Sequence, residues 1–299
     1  MDLQTLNDEY AIPNEVIFIG GRGDMPVARI SNDHATAEVS LYAGQVLSYR
    51  QTDDDNDLFF CSDTAYFEEG KSIKGGVPVC WPWFGPDPEG KGRPAHGFAR
   101  NSQWQVVGSQ SEEDGATRIT LQLAPNEQSQ SLWPHDFLLT LDVVVGKTLE
   151  LRLTTTNRSK ETLPITQALH TYFYVGDISQ VSVAGLDGKT YIDKVDNGNE
   201  KIQQGVVTVQ GEVDRIYTDV KTDLVIEDAA LGRNIHIHAS GSQSAVVWNP
   251  WSDIAKSMAD LGDEDYKNLL CVETTNADPD IVEISPGNSW VISARYQIS

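Results

Sequence analysis

Alternation of hydrophobic and polar residues dominates the chain and predicts β-strands. The segments "FLLTLDVVV" and "TLELRLTTT" place an apolar side chain at nearly every second position, as a strand with one buried face requires. Gly146 and Lys147 lie between them and predict a hairpin turn. Similar segments are "ATAEVSLY", "ITLQLA", "VTVQGEV", "NIHIHAS", "SAVVW" and "SWVISARYQI". Many short strands separated by turn residues are typical of a β-sandwich or barrel.

One helix is predicted, at "SDIAKSMADLG". Ser252 can cap its first turn and Gly262 can end it. Its apolar face would consist of Ile254, Met258 and Leu261. The chain lacks a Pro/Ser-rich linker, a repeat of fixed period and a low-complexity tract. We therefore expect an all-β protein with one or two short helices, forming a single domain over residues 1–299.

The composition restricts the partners. The chain carries 22 Lys and Arg against 44 Asp and Glu, a net charge of −22. Phosphates of nucleic acids and anionic membranes would be repelled by this charge, so we expect neither partner. Any phosphate that binds must be held by a local basic pocket.

Three further features bear on the cellular compartment. The three cysteines, Cys61, Cys80 and Cys271, include no C-x-x-C spacing, which supports neither a disulfide nor a zinc site. The segment "MDLQTLNDEYAIP" lacks the basic and apolar blocks of a signal peptide. No apolar run reaches the roughly 18 residues that span a bilayer. We expect a cytoplasmic protein.

Two motifs resemble metal sites but favour other interpretations. Asp53–Asp57 has the alternating acids of a calcium loop, yet Leu58 replaces the turn glycine and Thr64 the bidentate glutamate. His236 and His238 share one strand face, but no third ligand follows nearby. A solvated turn and ordinary strand positions are favoured, and we predict no metal.

His170 lies in "LPITQALHTYFYV". Alternation puts His170 on the same face as Tyr172 and Tyr174. Such a face can line a polar cleft, and the alternative is a buried histidine with its hydrogen bonds satisfied. The pattern leaves both open.

Glu273 follows the apolar run "NLLCV". A carboxylate at the end of a buried strand is costly unless it is paired or used in function. Partial burial would raise its pKa and make it a better base near neutrality. A salt-bridged strand end is the alternative.

The stretch from Lys74 to Ser102, "KGGVPVCWPWFGPDPEGKGRPAHGFARNS", concentrates aromatic and basic residues. Pro82 removes a ladder donor, so a strand must end there. The flat rings of Trp81, Trp83 and Phe84 suit a sugar ring, although the pattern alone favours core packing. The basic side chains are Lys74, Arg93, His96 and Arg100. Ammonium and guanidinium groups bind phosphate through charge-assisted hydrogen bonds, with surface solvation as the alternative for each.

Seven fragments in order resemble one family. They are "KGGVPVCWPWFG", "HGFARNSQW", "ALHTYFYV", "GLDGKTYIDK", "DRIY", "VVWNPW" and "CVETTNA", spread over residues 74–277. They resemble the hexose-6-phosphate mutarotases, or glucose-6-phosphate 1-epimerases, of the aldose 1-epimerase superfamily. The resemblance implies a large antiparallel β-sandwich of the galactose mutarotase-like type. It also implies a cofactor-free isomerase whose partner is a small-molecule sugar phosphate, and we expect a monomer.

The resemblance also implies roles for particular residues. His170 would be the general acid at the ring oxygen and Glu273 the general base at the anomeric hydroxyl. The residues that would bind substrate are Lys74 and Arg100 at the phosphate, and His96, Asp214 and Trp83 at the sugar. The family usually has arginine where this chain has Lys74. Lysine keeps the charge but loses the bidentate fork of arginine, which concerns phosphate binding more than the mutarotase chemistry.

Two rival functions remain open at the level of sequence. One is an aldose 1-epimerase for unphosphorylated hexoses, in which Lys74 and Arg100 are structural. The other is a non-catalytic carbohydrate-binding domain in which the aromatic residues form a stacking platform.

Overall fold

The computed structural model describes residues 1–299 and consists mainly of antiparallel strands. The α-helices are α1 Leu3–Tyr10, α2 Glu127–Leu132 and α3 Trp251–Ser257. The strands of the first half are β1 Val16–Gly20, β2 Pro26–Ser31, β3 Ala35–Ser40, β4 Gln45–Gln51, β5 Val79–Cys80, β6 Gln105–Ser111, β7 Thr117–Leu123, β8 Phe137–Val145 and β9 Leu149–Asn157. Those of the second half are β10 Leu163–Ile165, β11 Gln167–Leu169, β12 Tyr172–Tyr174, β13 Val181–Ala184, β14 Thr190–Asp193, β15 Asn199–Ile202, β16 Val207–Thr208, β17 Val213–Thr218, β18 Leu224–Asp228, β19 Arg233–Ser240, β20 Ser244–Asn249, β21 Leu269–Asn276, β22 Val282–Ile284 and β23 Ser289–Ile298.

Two large sheets form the sandwich. The nine-stranded sheet has the order β16-β13-β18-β19-β23-β9-β8-β7-β6. The eight-stranded sheet has the order β15-β14-β17-β20-β21-β11-β5, and β12 also pairs with β21. Strands β1 to β4 form a separate sheet, and β10 pairs with β22. The predicted hairpin is present, since β8 and β9 pair antiparallel from Phe137↔Asn157 to Val145↔Leu149.

The core lies between the two large sheets. In β8 every second residue is buried, and the inward-facing set is Phe137, Leu139, Leu141, Val143 and Val145. The eight-stranded sheet contributes Leu270 and Val272 of β21 to the same apolar cluster. Each such side chain contributes about 1.5–3 kcal/mol on burial. The predicted all-β antiparallel sandwich is confirmed.

Strand β21 lies at the centre of the eight-stranded sheet, and all eight of its residues are buried. It pairs with β20 on one side and with β11 and β12 on the other. Because side chains alternate along a strand, Leu270 and Val272 face the core while Cys271 and Glu273 face outward. Cys271 packs there with Leu261 from the segment after α3. The outer face of this sheet is therefore covered as well.

The helix prediction was wrong in its bounds. Helix α3 begins at Trp251, with Pro250 rather than Ser252 at the cap, and ends at Ser257. Met258 is extended, with φ −93° and ψ 118°, because the chain turns there to bury Leu261. Three short helices are present instead of one or two.

Strand bounds differ at one segment. "VTVQGEV" was expected to be one strand, yet it is divided between β16 and β17, in different sheets. Gly211 lies in the bend between them. No helix has both the length and the apolar character to cross a membrane.

Candidate active site

His170 lies at an interruption between β11 and β12. Its backbone N–H donates to the Pro78 carbonyl (3.0 Å), and the Thr171 N–H donates to Leu169 (3.0 Å) across a tight turn. The continuous strand expected from the alternation is therefore broken at residues 170 and 171. The break places the 8%-exposed His170 side chain on the outer face of the sheet, where its ring stacks on Tyr172 at 4.9 Å between centroids.

The break is tied to the opposite sheet by a buried hydrogen bond. The hydroxyls of Thr171 and Tyr296 lie 2.7 Å apart, although the residues are 125 positions apart in sequence. The Thr171 hydroxyl also contacts the Leu169 carbonyl at 3.2 Å. Since Tyr296 belongs to β23, the nine-stranded sheet fixes the turn that orients His170.

Glu273 lies in the middle of β21, opposite Val246 of β20, and is only 2% exposed. The expectation that it ends a strand was wrong, because the apolar run and the strand continue to Asn276. Its Oε1 lies 3.4 Å from Nε2 of His170. Glu273 Oε2 and His170 Nδ1 have no hydrogen-bond partner within the protein. Leaving such atoms unpaired costs about 1–3 kcal/mol each. Buried polar groups without a partner are typical of functional sites.

Burial disfavours the charged form of each member of this pair. It raises the pKa of Glu273 well above 4.5, Asp214 adds to the rise, and Arg100 opposes it. Burial lowers the pKa of His170 well below 6.5, and the charges of His96, Arg100 and Lys74 lower it further. A pair that holds one proton between its two members offers one proton donor and one proton acceptor.

A row of side chains crosses the outer face of the eight-stranded sheet beside this pair. Asp214 of β17 lies opposite Trp248 of β20, which lies opposite Cys271 of β21. Cys271 in turn lies opposite Tyr172 of β12. Desolvation raises the pKa of Asp214. The register thus brings Asp214 onto the same face as the His170–Glu273 pair, as a sugar-binding role requires.

His96 enters the site from a loop. Its ring centroid lies 5.7 Å from that of His170, and its backbone has φ 63°. Its N–H donates to the Gly85 carbonyl (2.7 Å), and the Gly85 N–H donates to its Nδ1 (3.3 Å). Burial, aided by Arg100 and Lys74, lowers the pKa of His96 to about 3. The ring is therefore neutral with its proton on Nε2, which suits a hydrogen-bond donor to a sugar oxygen.

Gly97 explains why a glycine follows this histidine. It has φ 72°, and a Cβ atom there would lie 2.0 Å from the Trp81 carbonyl oxygen. Only glycine lets the loop approach Trp81 this closely. The "HGF" motif is thus a packing requirement that positions His96.

Lys74 and Arg100 are the cations of the site. Both lower the pKa of His96 and of His170, so their charges are felt at the pair. Arg100 Nη2 donates to the Ala95 carbonyl (3.0 Å), while its buried Nε has no partner within the protein. Lys74 Nζ lies 3.6 Å from Asp260 Oδ2. Asp260 was missed from sequence, because no pattern links it to Lys74.

Trp83 does not present a face to a sugar, contrary to its predicted role. It is 3% exposed and belongs to the apolar core. Its Nε1–H donates to Pro94 (2.9 Å), and the Arg93 guanidinium lies 4.3 Å from the ring centroid. Arg93 is paired with Asp87 at 2.6 Å. Trp83 and Arg93 therefore stabilise the loop that leads to His96.

The two histidines and Asp57 of the metal-like motifs are occupied elsewhere. His238 Nδ1 lies 2.7 Å from Asp223 Oδ2, and His236 Nε2 lies 3.0 Å from Ser299 Oγ. Asp57 accepts the backbone N–H groups of Tyr49 (3.1 Å) and Phe59 (2.9 Å). No group of three or more His, Cys, Asp or Glu side chains is arranged to hold a metal ion.

The large antiparallel β-sandwich is the fold of mutarotase-like proteins, since the structure superposes on a mutarotase-like structure with a TM-score of 0.90. The family model for aldose 1-epimerase matches residues 26–297. The chain belongs to the aldose 1-epimerase family, whose members are isomerases. The family resemblance found in the sequence is thereby confirmed.

Individual relatives carry epimerase or mutarotase names. A protein from Escherichia coli strain K12 named "Putative glucose-6-phosphate 1-epimerase" is 39% identical over 249 residues, covering 83% of this chain and 82% of its own. A protein of the same name from Cenchrus ciliaris is 36% identical over 263 residues, covering 85% and 78%. The crystal structure of a "putative mutarotase" from Salmonella typhimurium superposes with a TM-score of 0.90 at 31% identity, covering 97% of this chain and 95% of that one.

Proposed function

We propose that the protein interconverts the α and β anomers of an aldohexose 6-phosphate, with glucose 6-phosphate as the preferred substrate. The observation that carries the proposal is the buried His170–Glu273 contact at 3.4 Å, with Lys74 and Arg100 close enough to influence the His170 pKa. The names of the relatives from Escherichia coli and Cenchrus ciliaris support the choice of substrate.

The reaction needs one base and one acid. Exchange of anomers breaks the C1–O5 bond, so a base must take the C1 hydroxyl proton while an acid protonates O5. The ring opens to an aldehyde, the C1–C2 bond rotates, and closure presents the other face of C1. In the productive arrangement the proton shared by the pair lies on His170, so the Glu273 carboxylate accepts the C1 proton while His170 protonates O5. The roles reverse on closure, and each group contributes roughly 100- to 10,000-fold.

The other side chains bind the substrate. The Nε2–H of neutral His96 can donate to a sugar oxygen next to His170. Asp214, on the same sheet face, can accept from sugar hydroxyls. Lys74 and Arg100 supply charge-assisted hydrogen bonds to the phosphate.

Anomer exchange of glucose 6-phosphate and of glucose, followed by NMR exchange spectroscopy, tests this function. We expect kcat/KM to be roughly 10- to 100-fold higher for glucose 6-phosphate, because hydrogen bonds to a charged group are worth about 1.5–3 kcal/mol. Equal values for the two sugars would favour the unphosphorylated-hexose epimerase. Saturable binding without acceleration over buffer would favour a binding domain.

The pH dependence of kcat follows from the shared proton. Acid protonates His170 while Glu273 keeps its proton, so the acceptor is lost. The pKa of His170 lies well below 6.5. We therefore expect kcat to stay constant as the pH falls past 6.5, and to decline only at the lower pH at which His170 takes up a proton. Rates at saturating glucose 6-phosphate check this, with His34→Gln, at a half-buried position outside the candidate site, as a control that should not move the profile. An acid limb centred at or above pH 6.5 would contradict the assignment.

A further inference from the structure

Lys74 has one acidic partner, Asp260. The Nζ–Oδ2 distance is 3.6 Å, and the two side chains are 19% and 20% exposed. Charge-assisted hydrogen bonds are shorter, about 2.7–2.9 Å. The two groups are therefore held as opposite charges in a partly desolvated place, without a tight hydrogen bond.

Neither group has another polar partner in the protein. No side-chain hydrogen bond joins Lys74 Nζ or the Asp260 carboxylate to any residue besides this ion pair. The ammonium of lysine has three donors, and this one has all three available. Asp260 has no visible function except to neutralise Lys74.

The segment 258–263 that carries Asp260 is anchored to the active site. Leu261 packs with Tyr172 and Cys271, and the ring of Tyr172 stacks on His170. The Gly262 N–H donates to the Asp265 carboxylate (2.7 Å), which also accepts from the Ser62 hydroxyl (2.7 Å). The carboxylate of Asp260 is thus positioned by the packing of Leu261 and the hydrogen bond of Gly262 that directly follow it.

We propose that Asp260 determines substrate specificity as an internal counter-anion that the substrate phosphate must replace at Lys74. This inference rests on the proposed function. A phosphate that binds Lys74 and Arg100 meets the negative charge of Asp260, and like charges brought together weaken binding. An unphosphorylated hexose leaves the Lys74–Asp260 pair intact and encounters no such penalty. Asp260 thus moderates the affinity for phosphorylated sugars and leaves the affinity for neutral sugars unaffected.

The test compares Asp260→Asn with Asp263→Asn. Asp263 is exposed, lies three residues away and makes no ion pair, so its substitution removes the same charge at the surface. We expect Asp260→Asn to lower KM for glucose 6-phosphate about tenfold, equivalent to about 1.4 kcal/mol. In Asp260→Asn, we expect kcat for glucose 6-phosphate and kcat/KM for glucose to change less than about twofold. In Asp263→Asn, we expect KM for glucose 6-phosphate to stay within about twofold of the wild-type value. Asp260→Ser serves as a second variant if the asparagine disturbs the turn.

Binding of inorganic phosphate, measured by calorimetry, gives a readout that does not depend on turnover. Its Kd should fall in Asp260→Asn by a factor similar to that of KM. A KM that rises in Asp260→Asn would show that Asp260 orients Lys74 for the phosphate, and equal effects of the two variants would show only a general charge effect. Either result overturns the inference. A wild-type protein that does not accelerate anomer exchange would instead overturn the proposed function.

Discussion

Glu273→Gln is expected to lower kcat by at least about a hundredfold and to leave KM for glucose 6-phosphate within about threefold. The amide has the shape of the carboxyl group and can keep the contact with His170, but it cannot accept a proton from the C1 hydroxyl. Removal of a general base typically costs 100- to 10,000-fold, while substrate contacts made by Lys74 and Arg100 are unchanged. Steady-state rates of anomer exchange measure both constants.

The stability of the variant separates catalysis from folding. Burial raises the pKa of Glu273 in the folded protein, so above pH 4.5 the unfolded chain loses this proton more readily and folding becomes less favourable. A neutral glutamine removes that penalty, and Glu273→Gln should unfold at the same or a higher temperature at pH 7. Glu200→Gln, at an exposed position of β15 without an ion pair, is the matched control. Unchanged kcat in Glu273→Gln would remove this residue from the mechanism.

Arg100→Ala is expected to raise KM for glucose 6-phosphate roughly 10- to 100-fold while kcat/KM for glucose changes less than about twofold. The guanidinium supplies charge-assisted hydrogen bonds, worth about 1.5–3 kcal/mol, only to a phosphorylated sugar. The same loss on both sugars would make Arg100 structural and favour the unphosphorylated-hexose epimerase.

Two control variants separate the loss of a phosphate contact in Arg100→Ala from a general charge effect and from a disturbed loop. Arg152→Ala removes an exposed arginine of β9 that pairs with Glu150, so it reports the effect of charge alone. Arg100 also donates to Ala95, next to His96, and its removal could disturb that loop. Arg100→Lys keeps the charge, and partial recovery of KM in this variant would attribute the effect to the phosphate.

Much of the strand structure could be predicted from sequence because alternation depends on local order. The β8–β9 hairpin has turn residues and two faces that are clear in the sequence. The end of α3 could not be predicted in this way. Met258 and Leu261 have helical spacing, but burial of Leu261 against Tyr172 bends the chain away from the helix.

The candidate site was predictable residue by residue but not as an arrangement. His170 and Glu273 were found through the family motifs, and the structure adds their 3.4 Å contact and shared burial. Trp83 was misplaced because an aromatic ring in sequence does not show which of its faces are covered, here by Arg93. Asp260 leaves no signal because its partner is fixed by tertiary structure alone.

The hydrogen bond between Thr171 and Tyr296 has a consequence for folding kinetics. The turn that orients His170 depends on β23, which pairs with β9 and β19 in the nine-stranded sheet. Contacts between such distant segments form slowly, because loop closure must precede them. A folding intermediate that already contains local hairpins such as β8–β9 would therefore be inactive. Recovery of catalysis during refolding would mark the joining of the two sheets and not the earlier formation of strands.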